Sequence, residues 1–296
     1  MAQAATLAGR RVVITRSPER AAVLADAVAD AGGRPLLMPL IDFETAPEPA
    51  LLDRALRSLA GGAYRWLVVS SATTVLALRR AAEARGMPLA SVVPGTVRIA
   101  AVGAATRRAL EAQGLKVDLV PAEPQSAAGL LSVWPAGAGT VLLPQADIAA
   151  PLLRDGLVGT GADVTAVAAY QTVNFPARPE HRLSDAAEES GSGGGRPLHT
   201  PAEVRALLDD AVPSAVVAAS ASAARRIVSL LGPLPASARF VAIGAATAAE
   251  AARLGQPVAA VAPAPTPEGV LSALAEAFGP SAPPNQPSAS TAKETL

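Results

Sequence analysis

Two copies of a G-A-A-T element, Gly103 to Thr106 and Gly244 to Thr247, each close a short apolar run. A glycine there lets a ligand approach the backbone N–H groups of a helix N-terminus, and a threonine in the first turn adds a hydroxyl donor. The same residues serve equally as tight strand-to-helix packing with a capping hydroxyl. Ser71 and Ser220 each follow a buried-strand pattern and precede a helical one, so both read as N-caps that also face an anion. No base lies close in sequence to make either serine a nucleophile. Arg16, directly after the run VVIT, is placed to meet an acidic ligand or a surface carboxylate. Tyr170 closes another strand pattern, either as an amphipathic packing residue or, at a domain junction, as a proton donor.

The chemistry available is therefore anion binding and proton donation. The chain has no cysteine, which excludes thiolate nucleophiles, disulfides and Cys-ligated metals. Its two histidines, His181 and His199, both lie in a polar, low-complexity stretch, so a Ser-His or His-metal site is not expected and no metal is assigned.

The elements that must position these residues alternate between strand and helix. Residues 12–15 are an apolar run, after which Ser17 caps a helix with Pro18 and Glu19 in its first turn, stopped by Gly32 and Gly33. Residues 35–41 read as the next strand, and a helix runs from 47–49 to about Leu59. Residues 66–69 form a buried strand leading through Ser70 and Ser71 into a helix to about Arg85. Strand 97–102, helix 104–113, strand 116–120 and a helix from Ser126 follow. Strand 141–143, a helix near 148–158 and strand 164–170 precede a polar excursion at 176–201 containing ESGSGGGRP, read as flexible. Strand 215–219, the helix after Ser220, the unit 239–254, strand 258–261 and helix 266–278 complete the pattern, and 281–296 reads as a disordered tail. Such alternation predicts an α/β fold of parallel sheets with helices on both faces.

The chain also repeats itself in an interleaved order. VRIAAVGAAT at 97–106 returns as RFVAIGAAT at 239–247, and the strand-helix-Gly-strand pattern of 12–43 returns at 141–172. Naming the types A and B, the chain reads A-B-A-B. Two similar lobes with a substrate cleft between them are expected. Either each consecutive A-B pair is a domain, or the first A completes the last B while the middle two units form a nested domain.

With 296 residues, half of them hydrophobic but only 3% aromatic, the cores must be built from Ala, Val and Leu. No apolar run approaches the roughly 18 residues that cross a bilayer, and the expected location is cytoplasmic. Lys and Arg total 25, as do Asp and Glu, so the zero net charge argues against nonspecific nucleic-acid or membrane binding.

VVITR at 12–16, WLVVSSATTV at 66–75, VGAAT at 102–106, LLPQAD at 142–147, AYQT at 169–172, Ser220, IGAAT at 243–247 and PAPTPEG at 263–269 occur in the order of one known family. The chain resembles the uroporphyrinogen-III synthases from about residue 11 to 278. That resemblance implies two α/β lobes joined by a two-stranded linker, one lobe from 1–41 plus 174–280 and the other from 44–171. It implies a cofactor-free lyase, expected as a monomer, that closes hydroxymethylbilane to uroporphyrinogen III through a spiro intermediate, with transient contact to hydroxymethylbilane synthase. Tyr170 then matches the tyrosine held to be a proton donor. Ser71, Thr106, Ser220 and Thr247 match hydroxyls lining the cleft. The sequence departs from the pattern at Gln145, where arginine is common, and at Ala219, where threonine is. The alternative is a non-catalytic ligand-sensing module on the same scaffold; a nucleotide-dependent transferase lacks its P-loop or G-x-G-x-x-G here.

Overall fold

Strand β1 (Arg11–Ile14) sits inside a parallel sheet whose two faces are both covered. A computed structural model describes residues 7–137, 139–183 and 195–279. The chain divides into two compact units, residues 1–40 with 190–296 and residues 41–189. Elements are numbered in chain order.

In the first unit the strand order is β10-β9-β8-β1-β2, with β2 (Arg34–Leu37), β8 (Ser214–Ala218), β9 (Ala238–Ala242) and β10 (Ala260–Val261). β1 pairs in parallel with β8 over its whole length, so the first A unit and the last B unit share one sheet. Val12, Ile14, Ala215 and Val217 pack with Leu24 and Val28 of α1 (Pro18–Asp30) and Val270 and Leu274 of α11 (Pro267–Phe278). Val13, Val216 and Phe240 face the other way. They meet Val204 of α8 (Pro201–Asp209), Ile227 of α9 (Ala221–Leu231) and Ala251 of α10 (Ala245–Arg253). Successive side chains of a strand point to opposite faces, so a strand buried on both must be apolar throughout, as VVI and SAVVA nearly are. The two buried hydroxyls at the β1–β8 seam are both satisfied: Thr15 donates to the Val217 carbonyl and Ser214 to the Val212 carbonyl, each at 2.8 Å.

In the second unit the order is β3-β7-β6-β4-β5, from β3 (Ile41–Thr45), β4 (Trp66–Val69), β5 (Arg98–Ala101), β6 (Thr140–Ala146) and β7 (Asp163–Asn174). One face carries α2 (Pro49–Ala60), α3 (Ala72–Glu83), the short α4 (Leu89–Val92) and α5 (Ala104–Glu111), packed on Leu67, Val69, Ile99 and Leu142. The other carries α6 (Ala127–Ser132) and α7 (Leu152–Gly159), packed on Trp66, Val68, Val141 and Leu143. Apart from β10 in the first and β3 in the second, the two sheets share one order: β9-β8-β1-β2 corresponds to β5-β4-β6-β7.

Three local expectations are corrected. The strand expected at 35–41 is two strands in different sheets, because Pro39 carries no N–H to continue a ladder and the chain leaves β2 at Leu37. The strand expected at 116–120 is only a bridge, Leu119 to Ala100. There the Asp118 carboxylate accepts the Ile99 N–H at 2.8 Å and takes the place of a ladder carbonyl. The second sheet is not wholly parallel, since β3 runs antiparallel to the end of β7, Thr45 facing Tyr170 and Ile41 facing Asn174.

The described ends of the excursion are anchored. Residues 176–183 return along the free edge of β3: Thr45 N–H donates to His181 O and Leu183 N–H to Phe43 O, each at 2.9 Å. Asp42, 4% exposed, accepts from Ala177 N–H at 2.8 Å and pairs with Arg182 at 3.0 Å. Glu44, 2% exposed, accepts from the Arg178 backbone N–H at 2.8 Å, Arg178 Nη2 at 2.7 Å and Gln171 Nε2 at 3.0 Å. Two carboxylates on one side of a strand are costly to bury unless donors reach them, and this segment supplies the donors. At the far end His199 N–H donates to Leu37 O at 2.8 Å. Residues 184–194 of the excursion and the tail expected at 281–296 lie outside the described residues.

The Arg178 side chain, by hydrogen bonding first and with help from its backbone N–H and charge, holds the Glu44 carboxyl down from 4.5 to about 2 against the effect of burial. A folded-state value below the unfolded one gives stability that is present above the unfolded value and lost as pH falls toward the folded one. The melting-temperature advantage of the wild type over Glu44→Gln is thus expected to shrink between about pH 5 and about pH 2.5. Thermal melts across that range check it; an advantage independent of pH would remove Glu44 from the acid response.

Candidate functional site

Open parallel sheets bind ligands at the carboxyl ends of their strands, where neighbouring crossovers depart to opposite faces. In the second unit that point lies between β4, followed by α3, and β6, followed by α7. β4 ends at Val69, and Ser71 caps α3 by accepting the Thr74 N–H at 3.0 Å. Ser71 Oγ also lies 2.9 Å from Thr74 Oγ1 and 3.4 Å from the Tyr170 phenol oxygen. Tyr170 is 6% exposed, and its ring meets Phe43 edge-on with centroids 5.4 Å apart. Two residues separated by 99 positions are brought together in a row of three hydroxyls. Next along the edge, Gly103 caps α5 with extended backbone that any residue adopts. Its smallness serves Gln125, whose Oε1 accepts the Ala104 N–H at 2.9 Å and lies 3.1 Å from where a Cβ at 103 would stand. A side-chain carbonyl thus already occupies a backbone donor of the α5 N-terminus. Thr106 is 5% exposed and faces the packed side of its helix.

In the first unit the corresponding point lies between β1 and β8. Arg16 follows β1, half-buried and with no hydrogen-bond or ion-pair partner among the described residues. Ser220 caps α9 by accepting the Ala223 N–H at 3.1 Å, and its Oγ lies 3.0 Å from Ser222 Oγ. Gly244 caps α10, and nothing lies within 4 Å of the position its Cβ would take. Thr247 is 4% exposed, packed like Thr106. The repeat is therefore unequal: the α5 N-terminus carries Gln125, whereas the α10 N-terminus is open. A cavity of ≈ 480 Å³ in this unit, lined by Pro235, Phe240 and Pro257, opens at the opposite, amino edge of the strands and includes none of the expected site residues.

This inequality has a measurable consequence. Both glycines are N-caps, where alanine is less favoured than glycine, which offsets the entropy gained from the unfolded chain; Gly244→Ala, whose methyl meets no atom, is expected to carry that balance alone. Gly103→Ala is expected to be less stable than Gly244→Ala by a further amount of about 1 kcal/mol, because its methyl pushes Gln125 off the Ala104 N–H. Denaturant unfolding of both variants checks this, and equal stabilities would mean that Gly103 does not serve Gln125.

Sequence reasoning missed Gln125, but the second matched pair of helices it began at Ser126 and Thr266 is present, each with that hydroxyl as its cap. Ser126 caps α6 by accepting the Gly129 N–H at 3.1 Å, and Thr266 caps α11 by accepting the Gly269 N–H at 3.2 Å. The signal is the spacing S-x-x-G and T-x-x-G at equivalent points of the repeat. Among the described residues no group of three or more His, Asp or Glu side chains converges to hold a metal ion.

Comparison with known proteins gives the following matches. The family described as uroporphyrinogen-III synthase HemD matches residues 22–272. A protein of Methanothermobacter thermautotrophicus, provisionally named a uroporphyrinogen-III synthase, is 30% identical over 173 residues, covering 54% of this chain and 62% of the relative. The uroporphyrinogen-III synthase of Synechococcus elongatus is 29% identical over 117 residues, covering 40% of this chain and 42% of the relative. The chain thus spans less than two thirds of the length of either curated relative. A solved mutant uroporphyrinogen-III synthase from Thermus thermophilus is similar in fold, with TM-score 0.51 and 21% identity over 92% of this chain and 99% of that one.

Proposed function

The chain belongs to the uroporphyrinogen-III synthase family, and from that membership we propose that it cyclises hydroxymethylbilane to uroporphyrinogen III, a lyase step of tetrapyrrole biosynthesis that releases water and inverts the terminal pyrrole ring. The observation that carries the reading is the extent of the family match, residues 22–272, which takes in elements of both units. In this proposal the units act as two lobes, joined by a two-stranded linker where β3 meets the end of β7, and the substrate is held between them. The protein works as a cytoplasmic monomer without a cofactor and receives its labile substrate from hydroxymethylbilane synthase.

The hydroxymethyl oxygen leaves as water once it is protonated, and the Tyr170 phenol, with Ser71 beside it, gives that proton. The pyrrole nitrogen lone pair expels the water and leaves an electrophilic azafulvene. The substituted carbon of the terminal ring attacks it through a spiro intermediate, one bond forms and another migrates, and the proton lost on rearomatisation restores the phenol. No strong nucleophile is needed, so holding the folded substrate is the main contribution. Its carboxylates are held by Arg16 and by backbone N–H groups at the N-termini capped by Ser71, Ser220 and Gly244, with the Gly103 N-terminus contributing only the donors that Gln125 leaves free. Thr106 and Thr247, being buried, shape those first turns.

The test is a coupled assay with freshly generated hydroxymethylbilane that separates type I and type III isomers. Type III product is expected. Product of type I only, the outcome of uncatalysed closure or of a protein that merely binds the substrate, overturns the proposal.

A further inference from the structure

Residues 163–168 of β7 pair one to one with residues 140–145 of β6, but Ala146 then pairs with Tyr170 and Ala169 is left over. Val167 and Ala169 belong to the core on the α3 side. Regular alternation would send the next residue to the opposite face. The extra residue prevents this: Tyr170 joins the same core as Val167 and Ala169, with its oxygen beside Ser71. A one-residue bulge aims the phenol.

β6 stops at Ala146, so no further strand residue is there to pair with β7 on that side. Asp147 takes over with two bonds. Its backbone N–H donates to the Tyr170 carbonyl at 3.0 Å, and its carboxylate Oδ1 accepts the Thr172 N–H at 2.9 Å. The side chain thus supplies the acceptor that a continued β6 would have supplied from a carbonyl. Asp147 bridges the backbone on both sides of Gln171, immediately after the bulge, while on the other edge β3 holds the same residues, Thr45 opposite Tyr170 and Phe43 opposite Thr172. Without the carboxylate clip, Tyr170 is still paired with Ala146, but the Thr172 N–H loses its acceptor and the strand just beyond Tyr170 is held by β3 alone.

We propose that Asp147 is a positioning residue that fixes the aim of Tyr170 through the Thr172 N–H. The catalytic part of this rests on the reading of Tyr170 as the proton donor of the synthase reaction. A misplacement of about 1 Å can cost about a hundredfold in rate.

The experiment compares Asp147→Ala and Asp147→Asn in the full chain. It reads kcat and KM for type III formation, each with and without Tyr170→Phe, and amide hydrogen exchange at Thr172. Asp147→Ala is expected to lower kcat by about tenfold to a hundredfold with KM little changed. Thr172 exchange should become at least about tenfold faster. Asp147→Asn, whose carboxamide oxygen accepts the same N–H, is expected to restore both. In the Tyr170→Phe background Asp147→Ala should cost nothing further. Equal loss in both backgrounds would mean a merely structural role and would overturn the proposal, as would unchanged exchange at Thr172. If the wild type makes no type III product, the synthase reading falls and the clip is judged by exchange alone: protection lost in Asp147→Ala and regained in Asp147→Asn upholds it, and unchanged protection overturns it.

Discussion

Tyr170→Phe is expected to lower kcat for type III formation by about a hundredfold or more, the range in which a positioned general acid contributes, while leaving the fold intact. Among the described residues the phenol oxygen has one hydrogen-bond contact, to Ser71 at 3.4 Å, which is long for a hydroxyl pair and adds little to stability. The ring keeps what matters for folding: it is 6% exposed and rests edge-on against Phe43, and phenylalanine fills the same space. A melting temperature near that of the wild type together with the lost rate would assign the effect to the hydroxyl. An unchanged rate would remove Tyr170 from the mechanism.

The largest effect on stability is expected from Gly129→Ala. A Cβ at that position would lie 1.8 Å from the Pro124 carbonyl oxygen and 3.0 Å from its carbon. Both are backbone atoms, so no side chain can rotate aside. α6 is only 6 residues long, and either its first turn or the preceding loop must move, breaking the bond from Gly129 N–H to Ser126 Oγ. A cost of about 3 kcal/mol is expected, the upper end for an overpacked site. Gly269→Ala meets the Ala264 carbonyl oxygen at 2.3 Å and should follow the same course. Denaturant unfolding measures both, and a cost under about 0.5 kcal/mol at residue 129 would mean that the 121–125 loop yields easily.

Features that depend on neighbours in the chain were legible from residue order. The apolar runs at 12–14, 66–69 and 215–218 are strands, and Ser71 and Ser220 cap the helices after two of them. The caps follow from hydroxyls that reach an N–H three residues on, a local matter. Legibility failed where a side chain replaced a backbone partner. Asp118, Gln125 and Asp147 each accept a main-chain N–H that a carbonyl or a ligand would otherwise take. A short polar residue in a loop gives no sign of which distant amide it will meet. The anchoring of 176–183 was hidden for the same reason, because its donors are called for by Asp42 and Glu44, more than 130 positions away.

Residue order alone carried the strand-helix alternation, the interleaved repeat and the set of hydroxyls and glycines at strand ends, because hydrophobic period, caps and glycine stops act over a few residues. The partner of β1 was settled only in three dimensions. It pairs with β8, some 200 residues on, because an apolar strand buried on both faces needs neighbours on both edges, and burial does not record the length of chain between them. The aim of Tyr170 was settled there too. Its neighbours in sequence read as ordinary strand, and the bulge at Ala169 exists only through the register that β6 and β7 adopt together.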